Sequence, residues 1–281
     1  MKLIGHNKQE EMFLRAIEKN HIHSSYIFSG QSGIGKRLFA LRLAKMLNCV
    51  GKISKRPCEE CPSCKKIESG NHPDVVTISV LEEKSWISID QIKDMIKSLQ
   101  INTIMNGYNI RIIDSAHLIK EDAANSLLKI LEEPPKNTVI ILITPVPHSL
   151  PRTILSRCAT VFFNVLSDGE IKKELEKYEL TKNELDFVVS VAMGSLGKAT
   201  ELAQDKDMIS KYINVLTDFK KGKFVNSKYE RNEAVDFLNI LASQVRYYEP
   251  EKVGIVLKMQ NYIRRNTNIG LTLEVLRQNL L

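Results

Sequence analysis

The octapeptide GQSGIGKR at residues 30–37 constrains this chain more than any other stretch. It follows a short apolar segment, Ser25 to Ser29, and precedes a segment with helical spacing. Gly30, Gly33 and Gly35 let the backbone turn its amides inward, and the next helix aims its partial positive charge at the same point. Lys36 then reaches an anion held there. Strand, phosphate-cradling turn and helix make up one unit of an α/β protein. The segment nearly fits the pattern G-x-x-x-x-G-K-[ST]. Its last position departs, because Arg37 stands where a Ser or Thr hydroxyl normally binds Mg²⁺. A guanidinium has no lone pair to offer a cation.

The rest of the chain is read around that unit. Residues 7–19 are predicted as an amphipathic helix with Met12, Phe13, Ala16 and Ile17 on one face. Residues 35–48 repeat helical spacing through Phe39, Leu43, Met46 and Leu47. Strands are expected at Asp74 to Val80, Asn109 to Asp114, Thr138 to Thr144 and Ala159 to Phe163. A helix over 89–101 starts with a capping box from Ser88 and Gln91, and one over 121–132 is stopped by Pro134 and Pro135. A short helix is expected at Pro151 to Arg157. This alternation predicts an α/β fold, a parallel sheet with helices on both faces, through residue 165.

After residue 165 the strand signal disappears. Residues 168–204 read as small helices, one opened by a Thr181–Glu184 capping box. Residues 208–281 read as a helical module with 12 Lys/Arg against 7 Asp/Glu, and Lys220, Lys221 and Lys223 are expected in a loop between helices. The expected domains are 1–165, 166–207 and 208–281. A composition of 43% apolar and 26% charged residues excludes disordered and low-complexity classes. The net charge of +7 suits nucleic acid or an acidic partner.

The segment MKLIGHNKQEE turns polar too early for a signal peptide, and the strongest apolar run, Val139 to Ile143, is too short to span a bilayer. The expectation is a cytoplasmic protein with reduced thiols. Its cysteines then point to a metal. Cys49, Cys58, Cys61 and Cys64 follow the spacing C-x8-C-x2-C-x2-C, with two overlapping C-x-x-C pairs. Four thiolates suit tetrahedral Zn²⁺ in a closed, structural site within a module at 49–64. Lys52, Lys55, Arg56, Lys65 and Lys66 offset its charge. Cys158 lies outside the cluster and reads as a core thiol.

The strand NIRIID ends in Asp114, a candidate metal-and-nucleotide aspartate, and is followed by Ser115. ATPases of this kind usually carry there a glutamate that activates the attacking water, and a serine hydroxyl is a poor base. The two departures predict no autonomous hydrolysis and leave ATP or ADP binding open.

On HIHSSYIFSGQSGIGK, the four-cysteine insert, IRIIDSAHLIKEDAANSLLKILEEPP and PHSLPRTILSRC, the chain resembles the delta-prime family of bacterial DNA polymerase III clamp-loader subunits, within the AAA+ superfamily. MGSLGKATEL and NTNIGLTLEVLRQNL are weaker matches. The resemblance implies a RecA-like AAA+ domain with a zinc module, a small helical lid and an all-α collar that oligomerises. It implies that Arg157, in Ser156-Arg157-Cys158, is an arginine finger acting in trans on a neighbour's ATP, that Thr144 is a sensor, and that Lys198 stands where relatives often have a sensor arginine. Implied partners are gamma/tau-type and delta-type subunits, the sliding clamp and, through the complex, primed DNA. A gamma/tau-type ATPase shares these features but keeps the hydroxyl and the glutamate that Arg37 and Ser115 replace. A zinc-containing nucleic-acid-binding module is the other alternative, although Trp86 is the only tryptophan available for base stacking.

Overall fold

The computed structural model describes residues 3–100, 103–222, 230–265 and 267–280. Lys223 and the last residue of the helix expected over 89–101 lie outside the described residues. The chain divides into two compact units, Met1–Val165 and Leu166–Leu281.

The first unit is built on five strands: β1 (Ser25–Ser29), β2 (Val75–Ile78), β3 (Asn109–Ile113), β4 (Thr138–Thr144) and β5 (Ala159–Phe162). They form one parallel sheet in the order β2-β3-β4-β1-β5. Its helices are α1 (Asn7–Glu18), α2 (Lys36–Asn48), α3 (Pro62–Glu68), α4 (Ile89–Leu99), α5 (Glu121–Glu132) and α6 (Arg152–Leu155).

Side chains alternate across a strand, so each central strand feeds two cores. Tyr26, Phe28, Ile110, Ile112, Val139, Ile141 and Ile143 point to one layer, where they meet Phe13 of α1 and Phe39, Leu43 and Met46 of α2. Ile27, Ile113, Ile140 and Leu142 point to the other, against Ile92 and Met95 of α4 and Leu127 and Leu131 of α5. Burial on both faces explains why β4 is an unbroken apolar run rather than an alternating one. The Ser88–Gln91 capping box forms, with the Gln91 amide donating to Ser88 Oγ at 3.4 Å and the Ser88 amide donating to Gln91 Oε1 at 3.1 Å.

The second unit contains α7 (Asp168–Leu175), α8 (Lys182–Ala192), α9 (Leu196–Gln204), α10 (Lys206–Lys220), α11 (Arg231–Tyr248), α12 (Val253–Arg264) and α13 (Ile269–Leu280). The Thr181–Glu184 capping box is present at the start of α8. Phe219, Phe237, Leu238, Leu241, Val256, Ile263, Leu273 and Leu276 form a core shared by α10 to α13. Leu257, Tyr262, Leu271 and Val275 remain exposed on α12 and α13. No helix among the described residues is long and apolar enough to cross a membrane.

Candidate functional site

A parallel sheet collects the carboxyl ends of its strands on one edge, where open α/β folds bind ligands. Here β1, β4 and β3 are neighbours, so the loop after β1, Thr144 at the end of β4 and Asp114 after β3 share that edge. Ser29 pairs in register with Thr144, and the Gly30 amide donates to the Thr144 carbonyl at 3.3 Å. The three loop glycines all adopt positive φ: 155° at Gly30, 76° at Gly33 and 100° at Gly35. Gly30 is required twice over, because a Cβ there would overlap the carbonyl oxygen of Phe163. Behind the loop, Phe28, Phe39 and Phe163 pack edge-on or tilted with centroids 4.9 to 5.8 Å apart and anchor both ends of the turn. His6 holds the loop from the other side through Nε2, 2.7 Å from the Ile34 carbonyl oxygen.

Lys36 is 5% exposed and folds over the loop, donating from Nζ to the carbonyl oxygens of Gly30 at 2.5 Å and Gln31 at 2.6 Å. Burial lowers its pKa to about 8, against a smaller opposing pull from Asp114. The Arg37 guanidinium lies 4.0 Å from Asp114 Oδ2, so the aspartate meets a protein cation at the point where the usual pattern would supply a metal-binding hydroxyl. Ser115 sits in a left-handed turn, φ 60° and ψ 44°, and its carbonyl accepts from the Leu118 amide. Thr144 is fully buried, and its Oγ1 accepts from the Val146 amide at 3.0 Å. Lys198 belongs to the second unit, on α9, where its side chain is exposed yet partial desolvation lowers its pKa against a smaller opposing pull from Glu201.

Arg157 follows α6 in the first unit. Its Nε donates to Glu132 Oε1 at 2.8 Å, its NH2 donates to the same oxygen, and its NH1 donates to the Thr153 carbonyl at 2.8 Å and to Ser156 Oγ at 3.2 Å. Cys158 is apart from the cysteine cluster, and burial pushes its thiol up to about 12.

The four remaining cysteines come together. Cys49 closes α2 and Cys61 caps α3, a helix that the sequence reading did not resolve inside the cysteine-rich stretch. All four sulfurs lie within 4.8 Å of one another, and none is in a disulfide. A tetrahedral ion with metal–sulfur bonds of ~2.3 Å needs sulfurs about 3.8 Å apart. Backbone amides of Gly51 and Cys58 point at Cys49 Sγ, that of Cys61 at Cys58 Sγ and that of Cys64 at Cys61 Sγ, at 3.3 to 3.5 Å. At Cys61 burial raises the thiol, yet the backbone amides of Cys64 and Val50 and the sulfurs of Cys64 and Cys58 outweigh it and bring the pKa to about 6. Burial drives Cys64 upward instead. Amides aimed at sulfur stabilise thiolates, so this donor set fits a thiophilic divalent ion in a closed site.

The sequence reading missed the charged staple that joins this module to α2. Lys45 is 6% exposed, yet its Nζ bonds Glu59 at 2.5 Å and also bonds Glu68, while Arg42 pairs with Glu10 at 2.7 Å and Glu59 at 3.6 Å. Its one visible signal is a lysine flanked by Leu43, Ala44, Met46 and Leu47. Arg111 was missed too. It is 2% exposed on β3 and donates to the Asp74 and Ile110 carbonyls and to Ser98 Oγ.

The parallel sheet, its glycine-rich phosphate loop and the aspartate on the same edge define an α/β protein of the phosphate-loop class. Residues 5–167 match the family described as "DNA polymerase III, delta subunit". The chain belongs to that family. The delta' subunit of DNA polymerase III from Bacillus subtilis is 34% identical over 210 residues, 75% of this chain and 61% of that protein. The tau/gamma subunit from Haemophilus influenzae is 34% identical over 185 residues, 66% of this chain and 26% of that protein. The chain spans from 26% to 50% of the length of several tau and gamma relatives. A DNA polymerase III gamma subunit-related protein from Thermotoga maritima shares the fold, with a TM-score of 0.52 and 19% identity over 96% of this chain and 99% of that one.

Proposed function

We propose that this chain is a non-motor, delta-prime-type clamp-loader subunit. It helps a DNA polymerase III assembly place its sliding clamp on primed DNA and donates Arg157 to the ATP site of a neighbouring subunit. The observation that carries the reading is the Arg37–Asp114 pair. A guanidinium beside the aspartate opposes a bound Mg²⁺, and Ser115 supplies no general base. The chain's own phosphate loop therefore binds ATP or ADP weakly at most and does not turn it over.

In this reading Cys49, Cys58, Cys61 and Cys64 hold a structural Zn²⁺. Residues 166–207 act as a lid, and 208–281 form a collar that meets gamma/tau-type and delta-type subunits. The exposed apolar side chains of α12 and α13 support that last assignment. The setting is the cytoplasm, where replication ATPases work.

A gamma/tau-type ATPase is the second reading, favoured by tau/gamma relatives as similar as the delta' relative. Reconstitution with a gamma-type ATPase subunit separates the two. The chain alone is expected to show no ATP turnover, and Arg157→Ala is expected to lower turnover of the mixture by about 10³-fold or more while assembly persists. Turnover by the chain alone that vanishes in Lys36→Ala would establish the motor reading instead.

A further inference from the structure

Resting on the reading of Arg157 as a donor to a neighbouring site, we propose that Glu132 is the parking place of that arginine and limits how often it is available. A guanidinium has five N–H donors, and four of the Arg157 donors are spent within its own chain, two on Glu132, one on the Thr153 carbonyl and one on Ser156 Oγ. Recognition of a phosphate uses the planar fork, two donors side by side. Glu132 occupies the Nε–NH2 edge, and Thr153 and Ser156 occupy NH1, so neither edge offers a phosphate two free donors until a bond is released, and the Glu132 carboxylate repels an anion approaching its own edge. Arg157 must exchange one anion for the other to act.

The position of Glu132 argues for the same role. It is the last residue of α5, where the helix dipole disfavours a carboxylate. Helix stability alone gives no reason for an acid there, and the arginine across from it does. The side chains of Arg157 and Glu132 are 33% and 49% exposed, so the exchange takes place in contact with water. An exposed pair of this kind holds its partner only weakly, by about two- to fivefold. A donor that is available for only part of the time lowers the apparent rate by that same fraction. Glu132 is thus a weak brake on a neighbour's ATP hydrolysis, released when a phosphate presents itself.

The test uses the full chain reconstituted with a gamma-type ATPase subunit. Glu132→Gln removes the charge and keeps the shape. It is expected to raise kcat/KM for ATP about two- to fivefold at low salt, with less gain at high salt. In the Arg157→Ala background the same substitution is expected to change nothing, because the braked group is gone. An unchanged or lowered kcat/KM in Glu132→Gln would overturn the brake and leave the donor reading standing. A gain that survives in the Arg157→Ala background would also overturn it, by showing that Glu132 acts through something else. If Arg157→Ala itself leaves turnover unchanged, the donor reading fails and the brake with it.

Discussion

The guanidinium of Arg37 faces the carboxylate of Asp114 across 4.0 Å, at the edge of the sheet where β1 and β3 end. The pair joins the first residue after the phosphate-loop lysine to the acid that ends NIRIID. In the proposed reading it sets a protein cation where a divalent cation would otherwise be recruited.

Metal dependence of ligand binding follows from that pair. With Arg37 in place, ATP affinity of the isolated chain is expected to be the same in Mg²⁺ and in EDTA. Arg37→Thr supplies a hydroxyl and frees Asp114, so Mg²⁺ is expected to tighten ATP binding about tenfold, or ~1.4 kcal/mol. Fluorescent ATP titrations with and without Mg²⁺ check both. A wild-type chain that binds ATP only with Mg²⁺ would contradict this account.

Lys36 predicts a pH effect with a definite sign. Burial lowers its pKa from the ordinary 10.5 to about 8, so between those values the unfolded chain holds more protons than the folded one. Stability contributed through Lys36 therefore rises with pH across that window. Below it the folded chain bears the full cost of a buried ammonium, and above it neither state is charged. Urea denaturation of wild type and Lys36→Met at pH 7, 9 and 10.5 is expected to show the difference moving in favour of wild type as pH rises.

The cysteine cluster predicts stoichiometric metal uptake. One Zn²⁺ or Co²⁺ per chain is expected, and Co²⁺ is expected to give thiolate charge-transfer absorption in the near ultraviolet. Cys61→Ser should weaken binding and lower the melting temperature of the metal-loaded chain, because binding free energy at such sites is folding free energy. Elemental analysis and thermal denaturation with and without a chelator measure both effects. A melting temperature indifferent to the chelator would remove the structural role.

Lys45 predicts a cost at a distance from any ligand. Burial alone would lower its pKa, but the bonds to Glu59 and Glu68 outweigh burial and raise it, so it stays charged. Lys45→Met is expected to destabilise the metal-loaded chain by about 1–3 kcal/mol, less than a fully buried pair because both acids are half-exposed. Arg15→Met, at the exposed Arg15–Glu11 pair, is the control and should change stability by less than about 0.5 kcal/mol. Urea titrations at fixed Zn²⁺ give both values.

The elements of the first unit were legible because their signals are local. Thr138–Thr144 and Ser25–Ser29 are strands over the ranges that their apolar runs suggested, and α5 ends at Glu132 before the two prolines, as expected. The short helix before Arg157 is briefer than its pattern suggested, Arg152–Leu155, since Pro151 takes the position before its first turn. Helix α3 stayed hidden because seven residues beginning with Pro62 carry too little periodicity to separate from a cysteine-rich loop. Lys45 was hidden because its burial depends on two acids supplied by the metal module.

The amino-acid sequence by itself determined that a phosphate loop would follow a buried strand, that four thiols would be spaced for one metal, and that Arg37 would stand where the phosphate-loop pattern has a Ser or Thr and Ser115 would follow the aspartate that ends NIRIID. Covalent spacing and hydrophobic periodicity act over a few residues, so they can be read along the chain. Only the tertiary structure decided that Arg37 would face Asp114, that Lys45 would clamp the cysteine module to the phosphate-loop helix, and that Arg157 would rest on Glu132. Each of those pairs depends on the order of strands and the packing of helices, which bring together residues with no local reason to meet.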